Sequence, residues 1–233
     1  MLMVDAIFGF YGLIDSKVKK SSSRIGTQFN KFVEKLSAYL QTCEAEKVFS
    51  FLQQFTLRLK QNGKGLNIVL NLIYKTAPVL TKEAHASLLK LYLNIVSKND
   101  LTEPELMQLL LYVIQHDLLT ELHSDLPYTL FYNEYNILFL NQLQLIGETD
   151  KVISLCEKSI KGNYHEVYSI PYYQILVNLY QQRSMPNEAL IYRKKIFAYS
   201  PSYLLYQEIY NDLATNSQKE SFRKELLGRG IRR

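Results

Sequence analysis

The sequence predicts an all-α protein built from tandem helix hairpins, and three observations support this fold class. Apolar residues recur at three- and four-residue spacing along most of the chain, as they do on the buried face of an amphipathic helix. Glycine (9 residues) and proline (6 residues) are scarce, whereas an all-β sandwich needs many turns. The C-terminal third also resembles itself at a fixed period, which is typical of helical-repeat proteins.

The composition is that of a folded protein with a modest positive charge. The 233 residues are 47% hydrophobic and 21% charged, with a net charge of +5, so the chain can bury a sizeable core. The basic residues are concentrated near the two ends: Lys17, Lys19, Lys20 and Arg24, then Arg223, Lys224, Arg229, Arg232 and Arg233. Such termini are typical of solvated tails, although the same side chains could bind phosphate groups.

Cysteine usage and the N-terminal segment indicate a cytoplasmic protein. Cys43 and Cys156 lie far apart within apolar patterns, so we expect two reduced, buried thiols rather than a disulfide. Residues 1–14 are apolar apart from Asp5, but they are shorter than the roughly 20 residues that span a bilayer. They also lack the features of a signal peptide. We expect this segment to dock on the core or on another chain.

Turn and capping signals divide the chain into an N-terminal segment with a basic, serine-rich linker (1–26), a helical-repeat domain (27–215) and a basic tail (216–233). The pair Asn62-Gly63 ends one predicted helix, and Pro78 follows the end of the next. Thr81 is expected to begin another helix. Thr102 lies three residues before Glu105, and this spacing predicts a capping box.

The internal repeat relates residues 136–153 to residues 173–190. Val152 then aligns with Ala189, which gives a period of 37 residues. At the same offset, asparagine aligns with asparagine and glutamine with glutamine: Asn141 with Asn178, and Gln144 with Gln181. The repeat is detectable over residues 130–203.

This region resembles the tetratricopeptide repeat. Residues 188–192 through Pro201 match its second helix, including the small residue at the close helix contact, and residues 147–150 match the turn between its helices. The sequence departs from the motif where Val152 replaces alanine and Ser184 replaces the turn glycine. The resemblance implies a right-handed solenoid of hairpins, with the first helices lining a groove suited to an extended peptide or a partner helix.

The resemblance places a set of carboxamides in this groove. Residues at this repeat position hold the backbone of an extended peptide in peptide-binding relatives, because a carboxamide offers both a donor and an acceptor. The implied peptide-binding residues are Asn141, Gln144, Asn178 and Gln181, with Ile137 and Gln174 one turn earlier on the same face. Tyr135, Tyr172 and Tyr180 are expected nearby as core or rim residues. The alternative is that the amides face solvent or cap neighbouring helices.

A second resemblance concerns the layout of the whole helical region. Residues 29–210 are similar in helix spacing to the effector domain of Rgg-type bacterial peptide-sensing regulators, a group that includes PlcR-like receptors. The helices of residues 29–59, the segment 67–74 followed by Pro78, and the helix of residues 101–111 carry this similarity. It implies a regulatory role. A helix-turn-helix precedes the effector domain in those regulators, and residues 1–35 are too short and too apolar to form one. Two alternatives follow: an effector domain acting alone, or one whose DNA-binding part is missing from this chain.

No pattern in the sequence predicts catalysis, a metal site or a cofactor. His116 and His123 are seven residues apart, but no cysteine or acidic residue completes a known metal-ligand spacing around them. His85 lies outside any HExxH motif, and Gly63-Lys64-Gly65 lacks the rest of a phosphate-binding loop. We therefore expect no enzymatic activity.

We expect a non-enzymatic binding module, regulatory in role, that recognises a short peptide or an extended protein segment on a concave helical face. The alternative is a structural adaptor or scaffold subunit, in which residues 1–14 and the convex helices hold a homodimer or a larger assembly together. Nucleic-acid binding through the basic termini is a weaker alternative, because the polar pairs are too few for a repeat that reads bases.

Overall fold

A computed structural model describes residues 22–62, 66–96, 101–128, 133–163 and 165–228. These residues form twelve α-helices and two short 3₁₀ helices, and the described part of the chain contains no strand. The predicted all-α class is confirmed. The chain divides into two compact units, an N-terminal unit of Met1–Pro127 and a C-terminal unit of Tyr128–Arg233, whereas the sequence suggested one helical domain over residues 27–215.

The described residues of the N-terminal unit form six α-helices. They are α1 (Ser22–Leu40), α2 (Ala45–Asn62), α3 (Leu66–Thr76), α4 (Lys82–Ile95), α5 (Glu103–Gln115) and α6 (Leu119–Leu122). Helix α3 packs against α1, α2 and α4, helix α4 also packs against α2, and α6 packs against α4 and α5. Apolar side chains between the helices form the core, with Leu52, Leu72 and Leu89 fully buried.

The described part of the C-terminal unit forms the other six α-helices. They are α7 (Glu134–Leu145), α8 (Thr149–Gly162), α9 (Ile170–Gln182), α10 (Pro186–Tyr199), α11 (Tyr203–Asp212) and α12 (Asn216–Gly228). Helix α9 packs against both α8 and α10, and α10 packs against α11. The core includes Leu176 and Ala189, and a second cluster around Phe197, Ile209 and Phe222 anchors the last two helices.

The predicted helix boundaries at Thr76, Thr81 and Thr102 are confirmed. Helix α3 ends at Thr76 before Pro78, and the hydroxyl of Thr81 accepts a hydrogen bond from the backbone N–H of Ala84 at 3.2 Å. At the start of α5, the Glu105 carboxylate accepts a hydrogen bond from the backbone N–H of Thr102 at 2.8 Å. This contact satisfies a helix-end donor that has no partner within the helix.

The structure differs from the sequence analysis at both ends of the repeat domain. Helix α1 begins at Ser22 and therefore includes Gly26 of the expected linker. Helix α12 occupies most of the segment interpreted as a basic tail. Serine and charged residues predict loops only weakly, since a packed apolar residue such as Phe222 can hold a polar helix in place.

Cys43 is half-exposed and lies between α1 and α2, so the expectation that both thiols are buried is correct only for Cys156. Both are free cysteines. The apolar segment 1–14 lies outside the described residues, as do the following residues on which predictions were made: Lys17, Lys19, Lys20, Gly63, Lys64, Gly65, Arg229, Arg232 and Arg233. No helix in the described ranges is long and apolar enough to cross a membrane.

Candidate functional site

The same type of turn connects the two helices in each of three pairs, so residue positions in the pairs can be compared by counting from the turn. We call this numbering the common frame. Asp117, Gly147 and Ser184 have positive φ values of 54°, 84° and 56°. Each lies two residues after the end of a first helix, in α5, α7 and α9 respectively. Glycine adopts this left-handed conformation at little cost, which explains Gly147. The expectation that Ser184 takes the place of the turn glycine is confirmed.

The hydrogen bonds of the three turns are equivalent. At Gly147, its N–H donates to the Gln144 carbonyl, and the next N–H, of Glu148, donates to the Leu143 carbonyl. The turns at Asp117 and Ser184 repeat both bonds at the same sequence offsets. This pair of bonds is the Schellman motif, which satisfies carbonyls at the helix end. The helix pair formed by α5 and α6 therefore shares its turn with the two pairs found by sequence comparison.

Counting from the turn residue shows which positions the three pairs bury. Eight residues before the turn lie Leu109, Phe139 and Leu176, each at most 1% exposed. Five residues after the turn residue lie Leu122, Val152 and Ala189, each of which is 0% exposed. The alignment of Val152 with Ala189 is therefore matched by equal burial. The shared pattern supports treating α5–α6, α7–α8 and α9–α10 as variants of one unit.

The candidate peptide-binding residues occupy three exposed positions in this frame. Three, six and ten residues before the turn, α7 carries Gln144, Asn141 and Ile137. The same positions in α9 are Gln181, Asn178 and Gln174. Residues spaced in this way lie on one face of a helix. Ile137 and Gln144 are half-buried, and the other four side chains are exposed.

Two hydrogen bonds link α7 to α9 and show that the two helices run in the same direction. Near their N-terminal ends, the Asn136 side-chain amide donates to the Tyr172 hydroxyl at 3.5 Å. At their C-terminal ends, the Gln144 amide donates to the Gln182 side-chain oxygen at 3.3 Å. Because corresponding ends meet, the helices are parallel rather than antiparallel.

This arrangement places Asn141 and Asn178 on the same side of the C-terminal unit. Asn141 precedes Gln144 by three residues, and Asn178 precedes Gln182 by four, so each asparagine lies one turn before a member of the touching pair. The structure therefore brings together one carboxamide of α7 and one of α9, Gln144 and Gln182. Gln182, which the alignment of Gln144 with Gln181 overlooked, is the residue that makes the direct contact.

The tyrosines expected near this face have different roles. Tyr135 and Tyr172 are fully buried, so they belong to the core and present no surface to a ligand. Tyr180 is half-buried and stacks on Tyr192 with ring centroids 5.9 Å apart. Of the three, Tyr180 alone retains exposed surface.

A buried hydroxyl network fixes the helices that carry the carboxamides. The hydroxyls of Tyr128 and Ser159 lie 2.8 Å apart, and Tyr172 hydrogen-bonds to the buried Asn136. Burial raises the pKa of Tyr128 well above its usual value, so its hydroxyl stays protonated and available for hydrogen bonding. Such satisfied polar groups favour one packing arrangement over alternatives.

A different cluster, of aromatic and imidazole rings, lies in the N-terminal unit. The Tyr112 hydroxyl and His85 Nε2 are 2.8 Å apart, and His116 packs on Tyr112 with centroids 4.3 Å apart. Burial and the neighbouring His116 lower the pKa of His85 to about 4. His116 also contacts His85, with ring centroids 5.5 Å apart. The described residues contain no group of three or more histidine, cysteine or acidic side chains that could hold a metal ion.

Comparisons with protein families, with curated proteins and with solved structures find no match to this chain.

Proposed function

We propose that this protein is a non-enzymatic binding module that holds an extended peptide, or an extended segment of a protein, along the first helices of tetratricopeptide-like hairpins. The parallel contact between α7 and α9 is the single observation that carries the proposal. It joins a carboxamide of α7 to one of α9, which supports a shared carboxamide face on the two successive hairpins. The regulatory role suggested by the resemblance to Rgg-type regulators is part of this proposal.

The spacing of hydrogen bonds between helices supports a stack of repeats within each unit. Six side-chain contacts join residues that are 33 to 38 positions apart, close to one repeat period. The pairs in the N-terminal unit are Gln41 with Lys75 and Lys82 with Asp117, and those in the C-terminal unit are Asn136 with Tyr172, Gln144 with Gln182, Asp150 with Arg183 and Glu166 with Tyr199. In a solenoid, each repeat contacts its neighbours in this way.

Carboxamides suit a backbone ligand because an extended peptide loses water from both its N–H and its C=O groups on binding. Each buried group without a partner costs about 1–3 kcal/mol. Asn141 and Asn178 are exposed and make no hydrogen bond to any described residue, so both remain available as donor and acceptor. Extended strands that bind proteins are held in the same way, by their main chains.

The test begins with selection from a random library of nine-residue peptides with capped termini, followed by calorimetric titration of the best binder. Asn141→Ala/Asn178→Ala should weaken binding by about tenfold or more, since each lost pair of hydrogen bonds costs about 1–3 kcal/mol. The matched control is Ser154→Ala/Asn187→Ala, which removes exposed polar side chains from the second helices α8 and α10. Equal affinity for the wild type and for the Asn141→Ala/Asn178→Ala variant would overturn the proposal.

A further inference from the structure

Charge is segregated between the first and second helices of the C-terminal unit. In α7 and α9, Glu134 is the only charged residue, and neither helix contains lysine or arginine. The second helices of the same hairpins carry six cations: Lys151, Lys158 and Lys161 in α8, and Arg193, Lys194 and Lys195 in α10. The carboxamide face, defined as Ile137, Asn141, Gln144, Gln174, Asn178 and Gln181, therefore has no cation of its own.

Three cations close to α9, one that follows it in sequence and two on α10, already have partners. Arg183, which follows α9, is paired with Asp150 at 2.7 Å. The Lys195 ammonium lies over the ring of Tyr173 at 5.3 Å. Arg193 is buried and forms an ion pair with Asp212. None of these charges is free to meet a ligand at the carboxamide face without giving up its present contact.

A carboxylate bound at such a face would lose water without gaining an opposite charge. Transfer of an unpaired charge out of water is far more costly than transfer of an amide that finds its hydrogen bonds. A neutral backbone has no such penalty. A cationic ligand meets no positive charge on these two helices, whose one charged residue is Glu134 at the N-terminal end of α7.

We infer that the carboxamide face selects uncharged or cationic peptide segments and binds them through their backbone. It excludes segments with acidic side chains or a free C-terminal carboxylate. This inference rests on the function proposed above and adds the chemical class of the ligand. It also implies that the face binds an internal segment, or one whose C-terminus extends beyond the site.

The experiment uses the full chain and three matched libraries of nine-residue peptides. The libraries share their apolar positions and differ at two positions, which are serine, lysine or aspartate. Each library is made with an amidated and with a free C-terminus, and binding is measured by competition against the best neutral binder. We expect the aspartate library to bind about tenfold or more weakly than the serine library, because its charges are desolvated without a partner.

A charge added to the face should reverse this preference. Gln174→Lys introduces a cation at an exposed position of α9, and Ser154→Lys adds the same charge at an exposed position of α8 as the matched control. We expect Gln174→Lys to recover binding of the aspartate library by several-fold, and Ser154→Lys to leave it unchanged.

The outcomes separate this inference from the proposed function. Equal binding of the aspartate and serine libraries, with both weakened in the Asn141→Ala/Asn178→Ala variant, would overturn the charge selectivity and leave peptide binding standing. If no library shows binding that depends on Asn141 and Asn178, both proposals fail. A stronger preference for aspartate after Ser154→Lys than after Gln174→Lys would place the ligand on the second helices and also overturn the inference.

Discussion

The two units present different chemistry at equivalent positions of the same hairpin. At three, six and ten residues before the turn, α5 in the N-terminal unit carries Ile114, Leu111 and Met107. In the C-terminal unit, the corresponding six positions of α7 and α9 hold five carboxamides, and the sixth residue is Ile137. Leu111 is 52% exposed, so its apolar side chain does not serve the core.

The comparison shows that packing constrains the buried positions of the hairpin and does not constrain the exposed ones. Positions eight residues before the turn and five after it are apolar and buried in all three pairs, because they hold the two helices together. The exposed positions of the first helix are free to vary without loss of the fold. The chemistry of the face is therefore set independently of the architecture.

The largest expected effect tests whether the buried positions are equivalent in the two units. Leu109→Ala and Leu176→Ala each remove a side chain with 0% exposure, and each should lower the free energy of unfolding by about 2–5 kcal/mol. Urea titration followed by circular dichroism measures the change. The control is Leu145→Ala, at a position that is 77% exposed. If either core variant is as stable as this control, the two leucines do not occupy equivalent buried positions in the two units.

The second prediction concerns a property that only the N-terminal unit is expected to show. His85 is buried against Tyr112 and His116, which holds its pKa at about 4, whereas an unfolded histidine titrates near 6.5. Between about pH 6.5 and 4, the unfolded state therefore binds a proton at His85 that the folded state does not bind. Stability should be full above about pH 6.5 and fall by about 3 kcal/mol as the pH drops to about 4.

Unfolding in urea at a series of pH values measures this loss. His85→Gln should remove most of the slope between pH 6.5 and 4, because glutamine does not titrate. The matched control is His165→Gln in the C-terminal unit, where the histidine is exposed, and this variant should keep the wild-type slope. An unchanged slope in His85→Gln would contradict the assignment.

The third prediction sharpens the comparison at the turn itself. A residue with a Cβ in the left-handed conformation costs about 1–2 kcal/mol, so Ser184→Gly should raise the free energy of unfolding by about 1 kcal/mol. Gly147→Ala should lower it by a similar amount through backbone strain alone, because a Cβ at Gly147 would meet no atom within 4 Å. Thermal unfolding measures both changes. The control is Ser154→Gly, which places a glycine inside α8 and should lower the free energy of unfolding. If this variant were more stable than the wild type, the backbone φ at Ser184 would not be the cause of the gain in Ser184→Gly.

Local signals in the sequence predicted much of the fold. The capping box at Thr102, the helix end at Thr76 and the turn at Ser184 depend on neighbouring residues, so the sequence alone contains the information. The turn at Asp117 was not predicted, because it lies 30 rather than 37 residues before Gly147 and the helix that follows it is only four residues long. Aspartate is also less distinctive than glycine at a left-handed position.

The candidate site was predicted less completely, since it depends on how helices meet. The period of 37 identified Asn141 and Asn178, but the direct contact of Gln144 with Gln182 reflects the rotation of one helix relative to the next, which no alignment contains. Tyr135 and Tyr172 were expected as core or rim residues, and the structure shows that both belong to the core. The contact of His85 with Tyr112 likewise joins two helices and has no sequence signature.

The central claim is that α7 and α9 run parallel and hold Asn141 and Asn178 on one side, and spin labelling tests it most directly. Labels are attached to Asn141→Cys/Asn178→Cys in a Cys43→Ser background; Cys156 should stay unlabelled, because burial raises its pKa to about 12. Because Gln144 and Gln182, each one turn from an asparagine, are hydrogen-bonded to each other, we expect strong dipolar broadening, and weaker broadening for the control pair Asn141→Cys/Lys158→Cys. Equal or weaker broadening for the Asn141–Asn178 pair would contradict the account.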